Sequence, residues 1–224
     1  MTQRAAVAAR GGRPMHLFTR TRQVDILQGP EALILATDMA HLASKVTGLE
    51  VIPWTSVFGL PLGTVVYSAQ VESQAAVADA LAKLSADPGY QRLVAESGRR
   101  LYTGPGEDAI AELVSVAGSG ESTGNLASVT VAQCAPGRIA EATAWGVDIL
   151  SHASKTTGLD GSFLRALYGP WPTLVWISLA ETMEEVDIAT ASLAADGTYV
   201  ERIDDAGPLF LAGSASQRLL RRLT

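Results

Sequence analysis

Two residues in "GVDILSHASKTTGLD" (146–160) have the types and spacing for acid–base chemistry. Asp148 and His152 stand four apart, so a helix would bring both to one face. A carboxylate beside an imidazole holds one tautomer and stabilises the imidazolium, which makes His152 a candidate general base for a phenol or enol. Trp145, Trp171 and Trp176, with Arg165 and Tyr168, supply rings and a cation in the same half of the chain. Together they could wall a pocket for a flat aromatic or polyene ligand. The competing reading is a partly buried histidine satisfied by its neighbour, with the indoles in the core.

Elsewhere the chemistry is sparser. Arg20 and Arg22 alternate with Thr19 and Thr21 in an extended run. Facing inward they would bind a carboxylate or phenolate; facing outward they form a charged strand surface. Asp38 persists in the first half without a histidine four residues on, His41 is expected at the surface, and Trp54, beside Pro53, reads as a packing anchor. Three scattered histidines and one cysteine have no metal-ligand spacing, so no metal is expected. "GSGESTG" lacks the closing Lys-Ser/Thr of a phosphate loop. No cofactor is expected; haem is the alternative, with His152 as the one sensible axial ligand.

The elements that would position these residues come in duplicate. "ASKVTGLE" (43–50) is written again as "ASKTTGLD" (153–160), and from Asp38 and Asp148 seven of thirteen positions are identical. The likeness continues where no chemistry is plausible. "VFGLPLGTVVYSAQVES" (57–73) faces "LYGPWPTLVWISLAET" (167–182), and "LAKLSADPGYQRL" (81–93) faces "TASLAADGTYVERI" (190–203). Each octapeptide closes a helix: a lysine in the last turn suits the carbonyl end of the dipole, and Gly48 or Gly158 supplies the left-handed stop. Leu35, Met39, Leu42 and Val46 share one face of the first such helix; Trp145, Ile149, His152 and Thr156 take those places in the second.

Extended segments are expected at 15–24 and 126–134, then at 50–58 and 63–71, matched by 162–168 and 173–180. A second helix follows in each half, the later one opened by a capping box in which Glu185 answers Thr182. A fourth strand is expected near "RRLYTG" (99–104) and "PLFLAG" (208–213). The order β-α-β-β-α-β, written twice, is a ferredoxin-like split βαβ in tandem, an α+β fold. The boundaries are a disordered tail over 1–14, repeats over 15–116 and 125–224, and a Gly/Ser linker over 117–124.

The unit order, its length and "SADPGYQRL" resemble the dimeric α+β barrel superfamily, which includes antibiotic-biosynthesis monooxygenases and NIPSNAP-like proteins. The resemblance implies two such sheets facing one another as a barrel, here as an internal pseudo-dimer within one chain, with homo-oligomers open to it. It also implies cofactor-independent monooxygenases, polyketide cyclases, lactone isomerases or haem enzymes as functional precedents, among which a fold cannot choose.

Bulk properties bound the partners. The net charge of −6 and the absence of a basic stripe argue against nucleic acid. No run approaches a membrane span, and the single Cys134 fits a reducing, cytoplasmic setting. The expected function is a cofactor-independent monooxygenase acting on an aromatic or polyketide-like molecule in secondary metabolism. A cyclase or isomerase, or a non-catalytic small-molecule-binding or assembly protein, is the alternative.

Overall fold

The computed structural model describes residues 15–100, 102–119 and 124–224; the tail expected over 1–14 and residues 120–123 of the linker lie outside that range. The chain forms two compact units. Among the described residues the amino-terminal unit is 15–111 together with Leu220–Thr224, and the carboxy-terminal unit lies within Glu112–Leu219.

In the amino-terminal unit β1 (His16–Gln23) is followed by α1 (Gly29–Thr47), β2 (Ile52–Phe58), β3 (Thr64–Val71), α2 (Gln74–Ala86) and α3 (Pro88–Arg100). Strand β3 is central, antiparallel to β1 from His16↔Val71 to Gln23↔Thr64 and to β2 from Ile52↔Ser68 to Thr55↔Val65. The carboxy-terminal unit repeats the plan with β5 (Leu126–Gln133), α4 (Ile139–Thr157), β6 (Asp160–Ala166), β7 (Thr173–Ala180), α5 (Met183–Ala195) and α6 (Gly197–Asp205). There β7 is central, antiparallel to β5 and β6. Two further strands, β4 (Glu107–Ala117) and β8 (Ser216–Arg222), each contribute residues to both units. The hydrogen-bonded order β1-β3-β2-β8-β5-β7-β6-β4 is that of a closed eight-stranded barrel. The α+β class and the tandem ferredoxin-like repeats expected from the sequence are what the chain adopts.

Three details differ from the sequence expectation. The fourth strands lie at 107–117 and 216–222, later than 99–104 and 208–213; of the expected segments, Tyr102 and Phe210 keep only single bridges, to Val24 and Cys134. "PGYQRL" and "GTYVER" each carry an extra helix, α3 and α6, so each repeat is β-α-β-β-α-α-β. These helices are strongly amphipathic and rich in charge, a pattern that survives at a surface without a long apolar run. Finally, the buried face of α1 is Ala32, Ala36, Met39, Ala40 and Ala43, while Leu35, Leu42 and Val46 are only half-buried. Alanines let the helix approach the sheet closely.

The octapeptide is a helix terminator throughout. Gly48 and Gly158 have φ of 78° and 75°, and their amides donate to the carbonyls of Ser44 and Ser154. Thr47 and Thr157 accept from the amides of Leu49 and Leu159, each at 3.2 Å. Ser44 Oγ accepts from the Val51 amide, and Ser154 Oγ donates to the Leu159 carbonyl. Serine, threonine and glycine are thus all used in stopping the helix and launching the next strand, while Lys45 and Lys155 stay exposed. Half of the expected capping box forms: the Glu185 amide donates to Thr182 Oγ1 at 3.2 Å, while Glu185 Oε2 accepts from the Glu181 amide, one residue before the cap, at 2.8 Å. A β-carbon in a left-handed backbone is costly, so Gly48→Ala and Gly158→Ala should each destabilise the protein by about 1 kcal/mol. Urea unfolding measures this; unchanged midpoints in both variants would contradict the assignment.

Candidate functional site

The residues singled out in the second half do not converge on an opening. Trp145, Phe163, Trp176 and Phe210 pack on one another, with ring centroids 5.1 Å apart for Phe163–Trp176, 5.8 Å for Trp145–Trp176 and 5.4 Å for Trp145–Phe210. Both indoles are tied to backbone: Trp145 Nε1 donates to the Arg202 carbonyl at 3.2 Å and Trp176 Nε1 to the Gly146 carbonyl at 3.0 Å. Packing is so close that a β-carbon on Gly146 would lie 2.4 Å from Phe163 Cζ. Arg165 pairs with Glu112 at 2.6 Å, and Tyr168 and Trp171 are each 62% exposed.

His152 has a different partner from the one its spacing suggested. Its Nε2 lies 2.7 Å from Asp196 Oδ2, which also accepts from Thr156 Oγ1 at 2.9 Å, while Asp148 is exposed. Asp196 caps α6 by accepting from the Tyr199 amide at 3.0 Å, and the Tyr199 ring stacks on the imidazole at 6.3 Å. Asp87 caps α3 in the same way, through the Tyr90 amide at 2.7 Å. The His152 arrangement ties α4 to a helix cap. It does not fit haem ligation, since the nitrogen that would face the iron is held by a carboxylate.

The opening lies instead in the amino-terminal unit. Between the β1/β3 face and helices α1, α2 and α3 is a cavity of about 280 Å³. Alternation along β1 sends Phe18, Arg20 and Arg22 to it, and the antiparallel register adds Tyr67, Ala69 and Val71 from β3. Met39 and Ala43 come from α1, Ala80 and Leu84 from α2, Tyr90 and Val94 from α3. The polar groups gather at one end. Tyr102 is bridged to Val24, two residues beyond Arg22; its hydroxyl lies 3.2 Å from that of Tyr67 and 3.1 Å from Met39 Sδ. The other end, around Phe18, Val71, Val77 and Leu81, is apolar.

Register explains why one repeat is open and the other filled. Tyr67 stands opposite Arg20 as Trp176 stands opposite Thr130, and Pro53 opposite Tyr67 as Phe163 opposite Trp176. The bridges equate Tyr102 with Phe210, and the helix alignment equates Leu35 with Trp145. Four large rings in one unit therefore correspond to leucine, proline and two tyrosines in the other. Arg20 and Arg22 correspond to Thr130 and Ala132. The sequence signal for the site was this exchange of ring for phenol and of neutral residue for cation.

The two guanidinium groups differ. Arg20 donates from Nε and Nη2 to the two oxygens of Asp108, each at 2.7 Å, and lies over the Phe18 ring at 5.9 Å. The bidentate bond holds the Asp108 carboxyl below its ordinary range and raises the guanidinium. Arg22 makes no hydrogen bond or ion pair among the described residues. It rests against the backbone at Gly106, where a β-carbon would fall 0.9 Å from its Nη1. Burial pushes the Tyr67 and Tyr102 phenols upward, and the Arg22 charge acts against that shift at both. The phenols are therefore protonated near pH 7, and the Tyr102 hydroxyl donates to Met39 Sδ.

The Asp196 cluster gives a test of the structural assignment of His152. The Tyr199 amide, then His152 and Thr156, hold the Asp196 carboxyl down at about 2. A carboxylate depressed in the folded state stabilises above its unfolded pKa, ~3.9, and that contribution is lost as pH falls toward the folded value. Asp196→Ala should accordingly lower the melting temperature at pH 7, with a deficit that narrows between pH 4 and pH 2.5. A deficit independent of pH would remove the carboxylate from the account.

No protein-family model and no curated protein matches this chain. Solved structures do. A candidate monooxygenase from Fusobacterium nucleatum subsp. nucleatum ATCC 25586 superposes with a TM-score of 0.70 at 11% identity, over 96% of this chain and 94% of that one. An anthrone oxidase-like protein gives 0.64 at 13%, over 99% and 94%. A chlorite dismutase from Candidatus Nitrospira defluvii, in complex with imidazole, gives 0.55 at 12%, over 95% and 93%. At these identities the common property is the fold: the chain has the α+β barrel fold of the monooxygenase-type structures, along its whole length.

Proposed function

We propose that the protein is a cofactor-independent monooxygenase for a flat aromatic or polyketide-like molecule, working in the cavity of its amino-terminal repeat. One observation carries the reading: the Arg22 guanidinium and the Tyr67 and Tyr102 hydroxyls gather at one end of an otherwise apolar cavity. Such an arrangement stabilises an oxyanion as it develops, because fixed donors in a poorly hydrated pocket need no reorganisation. An aryl ketone bound there with its oxygen toward Arg22 would lose a proton from the CH2 group conjugated with its carbonyl, across the ring in anthrone, and become an electron-rich enolate. Transfer of electrons from the enolate to dioxygen forms a carbon–oxygen bond and, with a proton, a hydroperoxide. Loss of water from that hydroperoxide leaves a new carbonyl, so that CH2 and O2 become C=O and H2O. The roles of Trp145, Trp171, Trp176 and His152 in the other repeat are structural in this reading. A place in secondary metabolism, in a cytoplasmic setting, follows from the substrate class and belongs to the same proposal.

Anthrone is a convenient test substrate. Purified protein in buffer with chelator and without flavin should consume oxygen and form anthraquinone faster than buffer alone. Removing one oxyanion donor typically costs 10²–10³-fold, so Arg22→Met should cut kcat/KM by about a hundredfold. Tyr67→Phe should cost less, and His152→Ala should leave kcat/KM unchanged. Equal rates for the wild-type protein and Arg22→Met would overturn the assignment. Tight binding without oxygen uptake would favour the small-molecule-binding alternative.

A further inference from the structure

The cavity lacks something that oxygenation of an enol ordinarily requires. Its described lining contains no aspartate, glutamate or histidine. The titratable and charged groups facing its polar end can be named element by element. Strand β1 brings Arg20 and Arg22, β3 brings Tyr67, α3 brings Tyr90, and Tyr102 follows α3. Strand β4 brings Asp108, both of whose oxygens are taken by Arg20; α1 and α2 bring apolar side chains and hydroxyls only. His16 is on the same face of β1, is buried, and has an unpartnered Nδ1. It stands at the far, apolar end, six residues from Arg22, or roughly 20 Å along an extended strand. Among the described residues the one carboxylate at the polar end is therefore Asp108, and Arg20 occupies both of its oxygens.

We infer that the substrate class is defined by its own acidity: a phenol, 1,3-dicarbonyl or enolisable aryl ketone that gives its proton to water and is held as its oxyanion by Arg22, with no protein base. This rests on the function proposed above, which supplies the site. The electrostatic logic is direct. A cation without a bidentate partner, close to an ionisable oxygen, lowers its pKa by about 1–3 units, whereas Arg20, held by both oxygens of Asp108, adds little. The orientation follows as well. The acidic oxygen lies toward Arg22 and Tyr102, and the unsubstituted edge of the rings toward Phe18, Val71 and Leu81.

The test separates ionisation from turnover. Under argon, 1,8-dihydroxyanthrone is titrated with pH in the presence of excess protein, and its anion is followed by absorbance. The bound probe should ionise at least one pH unit, or tenfold in proton concentration, below the free probe. Arg22→Met should return it to the free value, and His16→Gln should leave the bound value in place, with circular dichroism checking that both variants fold. In air, the pH–rate midpoints for anthrone and for 1,8-dihydroxyanthrone should differ and follow each compound's own acidity. A common midpoint for both substrates, or a midpoint moved by His16→Gln, would mean that a protein group accepts the proton and would overturn the inference. An anion formed under argon with no oxygen uptake in air would uphold the inference about ionisation and defeat the monooxygenase reading alone.

Discussion

The gap between the helix layer and the sheet is the constraint on which the rest of each repeat depends. Duplication gave both repeats nearly the same backbone, with the same helix stops and the same register of central strand to first strand. The gap must then be filled by side chains or be left as a void. Trp145, Phe163, Trp176 and Phe210 fill it in one repeat; Leu35, Pro53, Tyr67 and Tyr102 do not in the other. Leaving an opening of 280 Å³ there keeps apolar lining surface out of the core, at about 25 cal/mol per Å². The filled repeat demonstrates that the backbone accepts a remedy. An opening retained at that cost, with a cation at one end, is more naturally a binding site than a packing failure.

The electrostatics of the open repeat follow from a similar asymmetry. Two arginines on one face of one strand would repel each other and raise the cost of the cavity further. Asp108 holds Arg20 in a bidentate bond, and Arg22 is the charged residue of the cavity lining that makes no hydrogen bond or ion pair among the described residues. The glycine at 106 gives that guanidinium its seat. With Tyr67 and Tyr102 kept protonated by burial, the polar end holds two neutral phenols and, beside the Arg20–Asp108 pair, the Arg22 cation. That combination favours a delocalised organic anion over a neutral ligand and over a cation.

Local features of the fold were legible in the sequence, and longer-range ones were not. The helix stops could be read from Ser44 to Leu49 because every contact they make is within a few residues. The repeat itself was legible because those local signals recur. The fourth strands lie later than expected because "RRLYTG" has strand-like residues yet, among its described residues, contributes a single bridge at Tyr102, and the helices at 88–100 and 197–205 show amphipathicity without an apolar run. Site residues were harder still. Asp148 is near His152 in sequence, but the carboxylate that reaches the imidazole is Asp196, 44 residues on. Indoles in the second half could equally be walls or filling, and only their mutual contact distinguishes the two. Arg20 and Arg22 were visible as a pair, but their direction depended on a strand register that composition does not reveal.

The account stands or falls on which repeat holds the ligand. A crystal structure of the protein soaked with anthraquinone, the product of the proposed reaction, addresses this most directly. The account predicts planar density in the cavity between α1, α3 and the β1/β3 face, with one carbonyl oxygen within hydrogen-bonding distance of the Arg22 guanidinium. Trp145 and Trp176 should remain packed against Phe163 and Phe210. Density beside His152 in the carboxy-terminal repeat, with the four rings displaced and the amino-terminal cavity empty, would contradict it.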